Sequence, residues 1–172
     1  MRNISADEYV AQLQRGRCPY HDNYYAMYSS LLGGVVTDPV LMQIPVDDHV
    51  VHRGDGVFDT FKCVAGAIYN LDVHLQRLER SAAAIGLVWP AGMDSLRRAA
   101  LATVRAGGQR DCACRMMLAR GPGGFGVNPY ESPQPALYVM VYKLNEPFMK
   151  AHPAGARLKR TLVPAKPAQF AG

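Results

Sequence analysis

His52-Arg53-Gly54-Asp55-Gly56-Val57-Phe58-Asp59-Thr60-Phe61 is the stretch from which the fold can be read, with its continuation Tyr69-Asn70-Leu71-Asp72 and His74-Leu75-Gln76-Arg77-Leu78. A Gly-Asp-Gly turn releases the chain into a run where Val57, Asp59, Phe61 and Cys63 point to one side and Phe58, Thr60, Lys62 and Val64 to the other. That is the period of a strand. Ala65-Gly66-Ala67 suits a hairpin turn and Ile68 to Leu71 a returning strand. The period then changes: Leu75, Leu78, Ala82 and Ile85 recur at helical spacing between an N-cap expected at Asp72 and a stop at Gly86. Arg77 falls on the side of that helix away from the apolar repeat, so it is available to something other than the core.

Toward the N-terminus, Ser5-Ala6-Asp7-Glu8 is a capping box, and a short helix should follow with Tyr9, Val10 and Leu13 on one face and Gly16 as its stop. Tyr25 to Val36 reads as a strand bent at Gly33-Gly34, and Leu41 to Ile44 as a second short strand. Toward the C-terminus a helix is expected after Pro90, capped near Asp94, with Leu96, Ala99, Ala100, Thr103 and Val104 inward and Gly107-Gly108 at its end. Strands are expected at Ala113 to Leu118 and Ala136 to Tyr142. Between them Arg120-Gly121-Pro122-Gly123-Gly124-Phe125-Gly126 is so rich in glycine that its backbone must turn sharply or approach something closely.

This order predicts an α+β fold, a two-layer sandwich of a mainly antiparallel sheet with helices on one face, plus the start of a second domain. Residues 1–145 would form the N-terminal domain, 146–156 an interdomain linker, and 157–172 the first strand of a truncated C-terminal domain.

Composition narrows the function class. The 172 residues are 49% hydrophobic and 19% charged, enough to bury a core. No apolar run is long enough to cross a bilayer and Met1 to Ser5 lead into no apolar segment, so a cytoplasmic protein without a membrane partner is expected. Cys18, Cys63, Cys112 and Cys114 follow no zinc spacing and read as reduced thiols. The formal charge of +5 comes from scattered basic residues without interleaved aromatics, which argues against a nucleic-acid partner.

Arg53-Gly54-Asp55-Gly56-Val57-Phe58-Asp59-Thr60, Gly66, Leu71, His74-Leu75-Gln76-Arg77-Leu78 and Ser81-Ala82, with Arg120-Gly121 and Gly126-Val127-Asn128-Pro129 further on, resemble the N-terminal domain of the class IV (fold-type IV) pyridoxal-phosphate enzymes. That family includes branched-chain aminotransferases, D-amino-acid aminotransferases and aminodeoxychorismate lyases. The resemblance implies pyridoxal 5′-phosphate as cofactor, amino acids and 2-oxo acids as substrates, and a homodimer. It gives Arg77 the cofactor phosphate, a role suited to a guanidinium fork. An unplaced helix arginine is otherwise a solvated one. By the same resemblance Phe58 and Thr60 line the substrate side, Arg120 approaches the substrate carboxylate or borders the partner subunit, and Arg115 matches a pocket arginine. As plain residues, Phe58 would be core and Arg115 a structural strand arginine. His74 belongs to the motif as a residue that caps or packs the helix, and His52 is a pocket-bordering or a loop histidine.

The family's Schiff-base lysine is expected after Gly172, since Lys62, Lys143, Lys150, Lys159 and Lys166 do not match its motif. The chain by itself is therefore expected to be inactive. Within the family, Phe58 and Gly126-Val127-Asn128-Pro129 resemble the branched-chain enzymes. The lack of a tyrosine at position 58 and of an Arg-x-His trap argues against recognition of the D-amino-acid type. Thr60 and the Arg120 loop resemble the lyases, which eliminate pyruvate to give 4-aminobenzoate. Amino transfer is the preferred reading, with the lyase and a non-catalytic partner domain as alternatives.

Overall fold

A computed structural model describes residues 1–157. Six strands form one sheet: β1 (Tyr24–Ser29), β2 (Gly34–Val36), β3 (Gly56–Val64), β4 (Ala67–Ile68), β5 (Cys112–Ala119) and β6 (Ala136–Lys143). The spatial order is β2-β1-β6-β5-β3-β4, and every neighbouring pair runs antiparallel. Among the described residues five α-helices accompany it, α1 (Ala6–Arg15), α2 (His49–Arg53), α3 (Leu71–Ala84), α4 (Gly92–Gly107) and α5 (Phe148–Ala151). The expected antiparallel α+β sandwich is the fold observed.

Alternation along the strands assigns the two faces of the sheet. Phe61 and Cys63 of β3, Cys112, Cys114, Met116 and Leu118 of β5, and Leu137, Val139 and Val141 of β6 are buried beneath Leu75, Leu78 and Ala82 of α3 and Leu96, Ala99 and Ala100 of α4. On the other face the described residues cover one end, where Met27, Tyr138, Ala119 and Ala136 form a small cluster with Met42, Ile44 and Val50. Phe58, Lys62, Val64 and Arg115 of that face are left exposed.

Several local expectations are corrected. Tyr25 to Val36 is not one bent strand but the hairpin β1–β2, since Ser30 to Gly33 forms a turn with Gly33 in the left-handed region. Leu41 to Ile44 is not a strand: Asp38 caps a 3-10 turn at Pro39–Leu41 by accepting from the Val40 amide. The N-cap of α3 is Asn70, not Asp72, which lies in the first turn and pairs with Arg97 of α4. Likewise α4 starts at Gly92, and Asp94 sits in its first turn rather than before it. Ile85 follows the end of α3 and is exposed, while Leu87 takes the buried place. The capping box of α1 forms as read, but α1 buries none of its residues. The strand expected from Arg157 lies outside the described residues apart from its first residue.

Candidate active site

Strand β3 delivers candidate residues to both faces of the sheet. Phe58 and Thr60 point to the open face, and Thr60 lies opposite Arg115 of β5. The Arg115 Nε donates to Thr60 Oγ1 at 3.2 Å, and its guanidinium carbon lies 4.9 Å from the centre of the Phe58 ring. A hydroxyl and an aromatic face thus hold this cation flat against the sheet. Phe58 itself is 61% exposed, so it is no part of the core formed by the described residues.

Asp59, between them in sequence, points the other way and is buried. A carboxylate on the core side of a strand demands partners, and α3 supplies them. Arg77 Nε donates to Asp59 Oδ2 at 2.6 Å, and Arg77 Nη2 donates to Asp59 Oδ1. His74, one turn before Arg77, brings its Nδ1 to 3.1 Å from Asp59 Oδ1. Burial alone pushes the Asp59 carboxyl up; the hydrogen bonds and charges of Arg77 and His74 outweigh it, and the group sits below the ordinary carboxylate range. Arg77 keeps its charge more firmly in turn, chiefly through its hydrogen bonds to Asp59.

The Arg77 side chain remains 58% exposed, and its Nη1 has no partner among the described residues. An exposed guanidinium with one nitrogen unengaged fits a phosphate group by the chemistry of its donors. The two faces are not separate worlds at this point. Among the described residues β4 pairs with Cys63 and Val64 alone, so there β3 is an open edge of the sheet from Val57 to Phe61. Arg77, Phe58 and Thr60 all flank that edge.

Arg120, expected at a substrate carboxylate or beside the partner subunit, has its donors engaged within the chain. Its Nε and Nη2 donate to both Asp55 oxygens at 3.1 and 3.0 Å, while Nη1 and Nη2 donate to the carbonyls of Gly86 and Ile85 at 3.1 and 2.9 Å. Arg120 and Asp55 are only 17% and 16% exposed. The residue ties the end of β5 to the Gly54-Asp55-Gly56 turn and the end of α3.

The glycine-rich loop closely approaches its own chain at Glu131 to Gln134. At Gly121, φ is +97° and a Cβ would run into the Gln134 carbonyl. The segment around α2 grips the same loop: the His49 amide donates to Gly121 O at 3.1 Å, its Nε2 to Gly124 O at 2.9 Å, and Arg53 Nη1 to Gly126 O at 2.6 Å. His52 packs against Phe125, with ring centres 5.1 Å apart, below the loop. Beside it the Tyr138 hydroxyl donates to the fully buried Asp48 at 2.6 Å. Sequence reasoning missed Asp59, Asp48 and His49. For Asp59 a signal existed, since a carboxylate alternating in register with Val57 and Phe61 needs a buried counter-charge.

No group of histidine, cysteine or acidic residues suited to a metal ion occurs among the described residues. No helix of the described residues is long and apolar enough to cross a membrane.

The amino-transferase class IV family profile matches residues 56–170. Over 148 residues, 86% of this chain, the sequence is 40% identical to the chloroplastic D-amino-acid transaminase of Arabidopsis thaliana. Among solved structures, a hypothetical aminotransferase from Mycobacterium tuberculosis in its PLP-bound form shares 31% identity over 76% of this chain, with a TM-score of 0.60. The branched-chain aminotransferase of the thermophilic archaeon Thermoproteus uzoniensis, solved with norvaline, shares the fold with a TM-score of 0.62 over 72% of this chain at 22% identity. The chain spans 39% of the Arabidopsis protein, 44% of the Mycobacterium chain and 42% of the Thermoproteus chain, about two fifths of each. With more than half of its length inside the profile, and with the fold of those structures, the chain belongs to the amino-transferase class IV family.

Proposed function

We propose that the full-length protein transfers an amino group between an amino acid and a 2-oxo acid with pyridoxal 5′-phosphate as cofactor, and that Arg77 holds the cofactor phosphate. The carrying observation is the half-exposed Arg77 guanidinium, anchored on a buried carboxylate with Nη1 unengaged. When bound, the cofactor would supply the electron sink for the substrate's amino-bearing carbon. The chain's own residues would bind and orient. Arg77 neutralises the phosphate, and Phe58 offers an apolar wall beside the open edge. Arg115, pinned by Thr60 and Phe58, offers a fixed cation to a substrate carboxylate. A homodimer in the cytoplasm completes this reading, supported by family membership for the dimer and by four cysteines outside any disulfide for the compartment.

The Phe58 wall favours a branched-chain substrate. Likeness to the Arabidopsis D-amino-acid transaminase favours a second reading, transfer from D-amino acids. Assaying the full-length protein with 2-oxoglutarate against L-leucine and D-alanine separates the two, and 4-aminobenzoate formation reports lyase chemistry. Branched-chain transfer is the expected result; lyase activity alone would overturn amino transfer. Borohydride reduction of the cofactor-loaded protein and peptide mapping would identify the lysine that binds the cofactor.

A further inference from the structure

We infer that Asp59 is a positioning residue: it clamps one edge of the Arg77 guanidinium and thereby turns the opposite edge, the Nη1–Nη2 fork, toward a phosphate. The inference rests on the proposed role of Arg77. A guanidinium carries five N–H donors in a plane, and they form two edges that can each grip two oxygens at once. The hydrogen bonds fix which edge is already taken. Nε and the adjacent N–H of Nη2 meet the two oxygens of Asp59, a bidentate pair on the side of the group. What remains is Nη1 and the outer N–H of Nη2.

His74 decides whether that second edge stays open. Its Nδ1 lies 3.1 Å from Asp59 Oδ1 and 3.3 Å from Arg77 Nη2. If Nδ1 carried no proton it would accept from Arg77 and consume the outer N–H. With the proton on Nδ1, His74 donates to Asp59, and Asp59 then accepts three bonds from two side chains. That arrangement satisfies a carboxylate whose side chain is 3% exposed, and it is the tautomer the burial of Asp59 favours. His74 is in turn held by the Phe61 ring, 5.3 Å away between centres. The clamp is thus built on β3, which carries Asp59 and Phe61, and on the first two turns of α3, which carry His74 and Arg77. Arg77 left to itself would be a long exposed side chain with many rotamers, and ordering it on binding would weaken its hold.

The test compares pyridoxal 5′-phosphate with pyridoxal, which lacks only the phosphate, by equilibrium dissociation constants on the full-length protein. Wild type should prefer the phosphorylated ligand, and Arg77→Gln should abolish the preference. Asp59→Asn keeps the shape, drops the charge and removes one acceptor; it should lower the preference about tenfold or more while affinity for pyridoxal stays within about twofold. Asp59→Glu, which restores the carboxylate, should recover part of it. Because both ligands are bound by the same protein sample, partial unfolding would reduce both affinities and leave their ratio unchanged. If Arg77→Gln removes the preference and Asp59→Asn does not, the positioning role is overturned and the phosphate site stands. If Arg77→Gln itself has no effect, the phosphate site fails.

Discussion

Arg120 and Arg77 carry the same group into opposite circumstances, and their surroundings decide what each can do. Arg120 is 17% exposed with Asp55 and two helix-end carbonyls on its donors, while Arg77 is 58% exposed with one edge engaged. Removing Arg120 strands a nearly buried carboxylate and two carbonyls. Arg120→Ala should therefore destabilise the chain by about 2–3 kcal/mol, below the range for fully buried pairs because both partners keep some water contact. Arg120→Lys should recover only part, since an ammonium cannot serve the fork geometry. Urea denaturation measures both, and an Arg120→Ala cost below about 0.5 kcal/mol would contradict the structural role. Asp59 gives a prediction in pH. Its folded-state pKa is depressed, so its pair stabilises the fold above the unfolded value of about 4 and loses that contribution as pH falls below it toward the folded value. The stability gap between wild type and Asp59→Asn should be constant well above the unfolded value of about 4 and shrink as pH falls below it. A gap that widens in acid would reverse the assigned sign.

The elements show where sequence pattern suffices and where it does not. α3 and α4 were legible because Leu75, Leu78 and Ala82, then Leu96, Ala99, Ala100 and Thr103, repeat at helical spacing and are all buried. The turn between β1 and β2 was hidden because Leu31 and Leu32 read as strand interior, yet they sit on it exposed. The candidate site was legible as far as Arg77, Phe58, Thr60 and Arg115. The partners that fix them were not, because Asp59 lies 18 residues before Arg77 and Asp55 65 residues before Arg120. No local period records a distance of that kind. The β3–β4 hairpin was expected from Ala65-Gly66-Ala67, and its geometry yields a prediction. Ala65 and Gly66 have φ of +51° and +85°, the pattern of a two-residue mirror-image turn. Alanine is a poor occupant of the left-handed region and asparagine a good one. Ala65→Asn should stabilise the chain by roughly 0.5–1 kcal/mol, seen as a raised thermal midpoint, because the backbone amide that donates to Asp111 is kept. A lowered midpoint would show that the turn is not of this type.

At the scale of the molecule, the order β2-β1-β6-β5-β3-β4 puts β6 and β5 at the centre, each paired along its full length with the other. Their helix-side residues Cys114, Met116, Leu118, Val139 and Val141 are wholly or almost wholly buried under α3 and α4. Opening these strands exposes most of the core, so their amides should exchange with solvent only through global unfolding, at about 5–15 kcal/mol for a domain of this kind. α1 is the opposite case. It buries no residue, and Tyr9 and Val10 of its apolar face remain exposed. Releasing it uncovers little apolar surface, and a ten-residue helix has scant stability of its own. Hydrogen exchange should find the amides of Val10 to Gln12 at least about a hundredfold less protected than those of Met116, Leu118 and Val139, a difference of about 3 kcal/mol. The open face makes the comparison sharper. Arg115 stands on β5 itself, and Phe58 and Thr60 on β3, which pairs with β5 from Gly56 to Cys63, so the candidate site is anchored directly on one of the two central strands. If α1 proved as protected as β5 and β6, opening would be a single global event, and the rigidity of β5 under the site would no longer be a local property of the sheet.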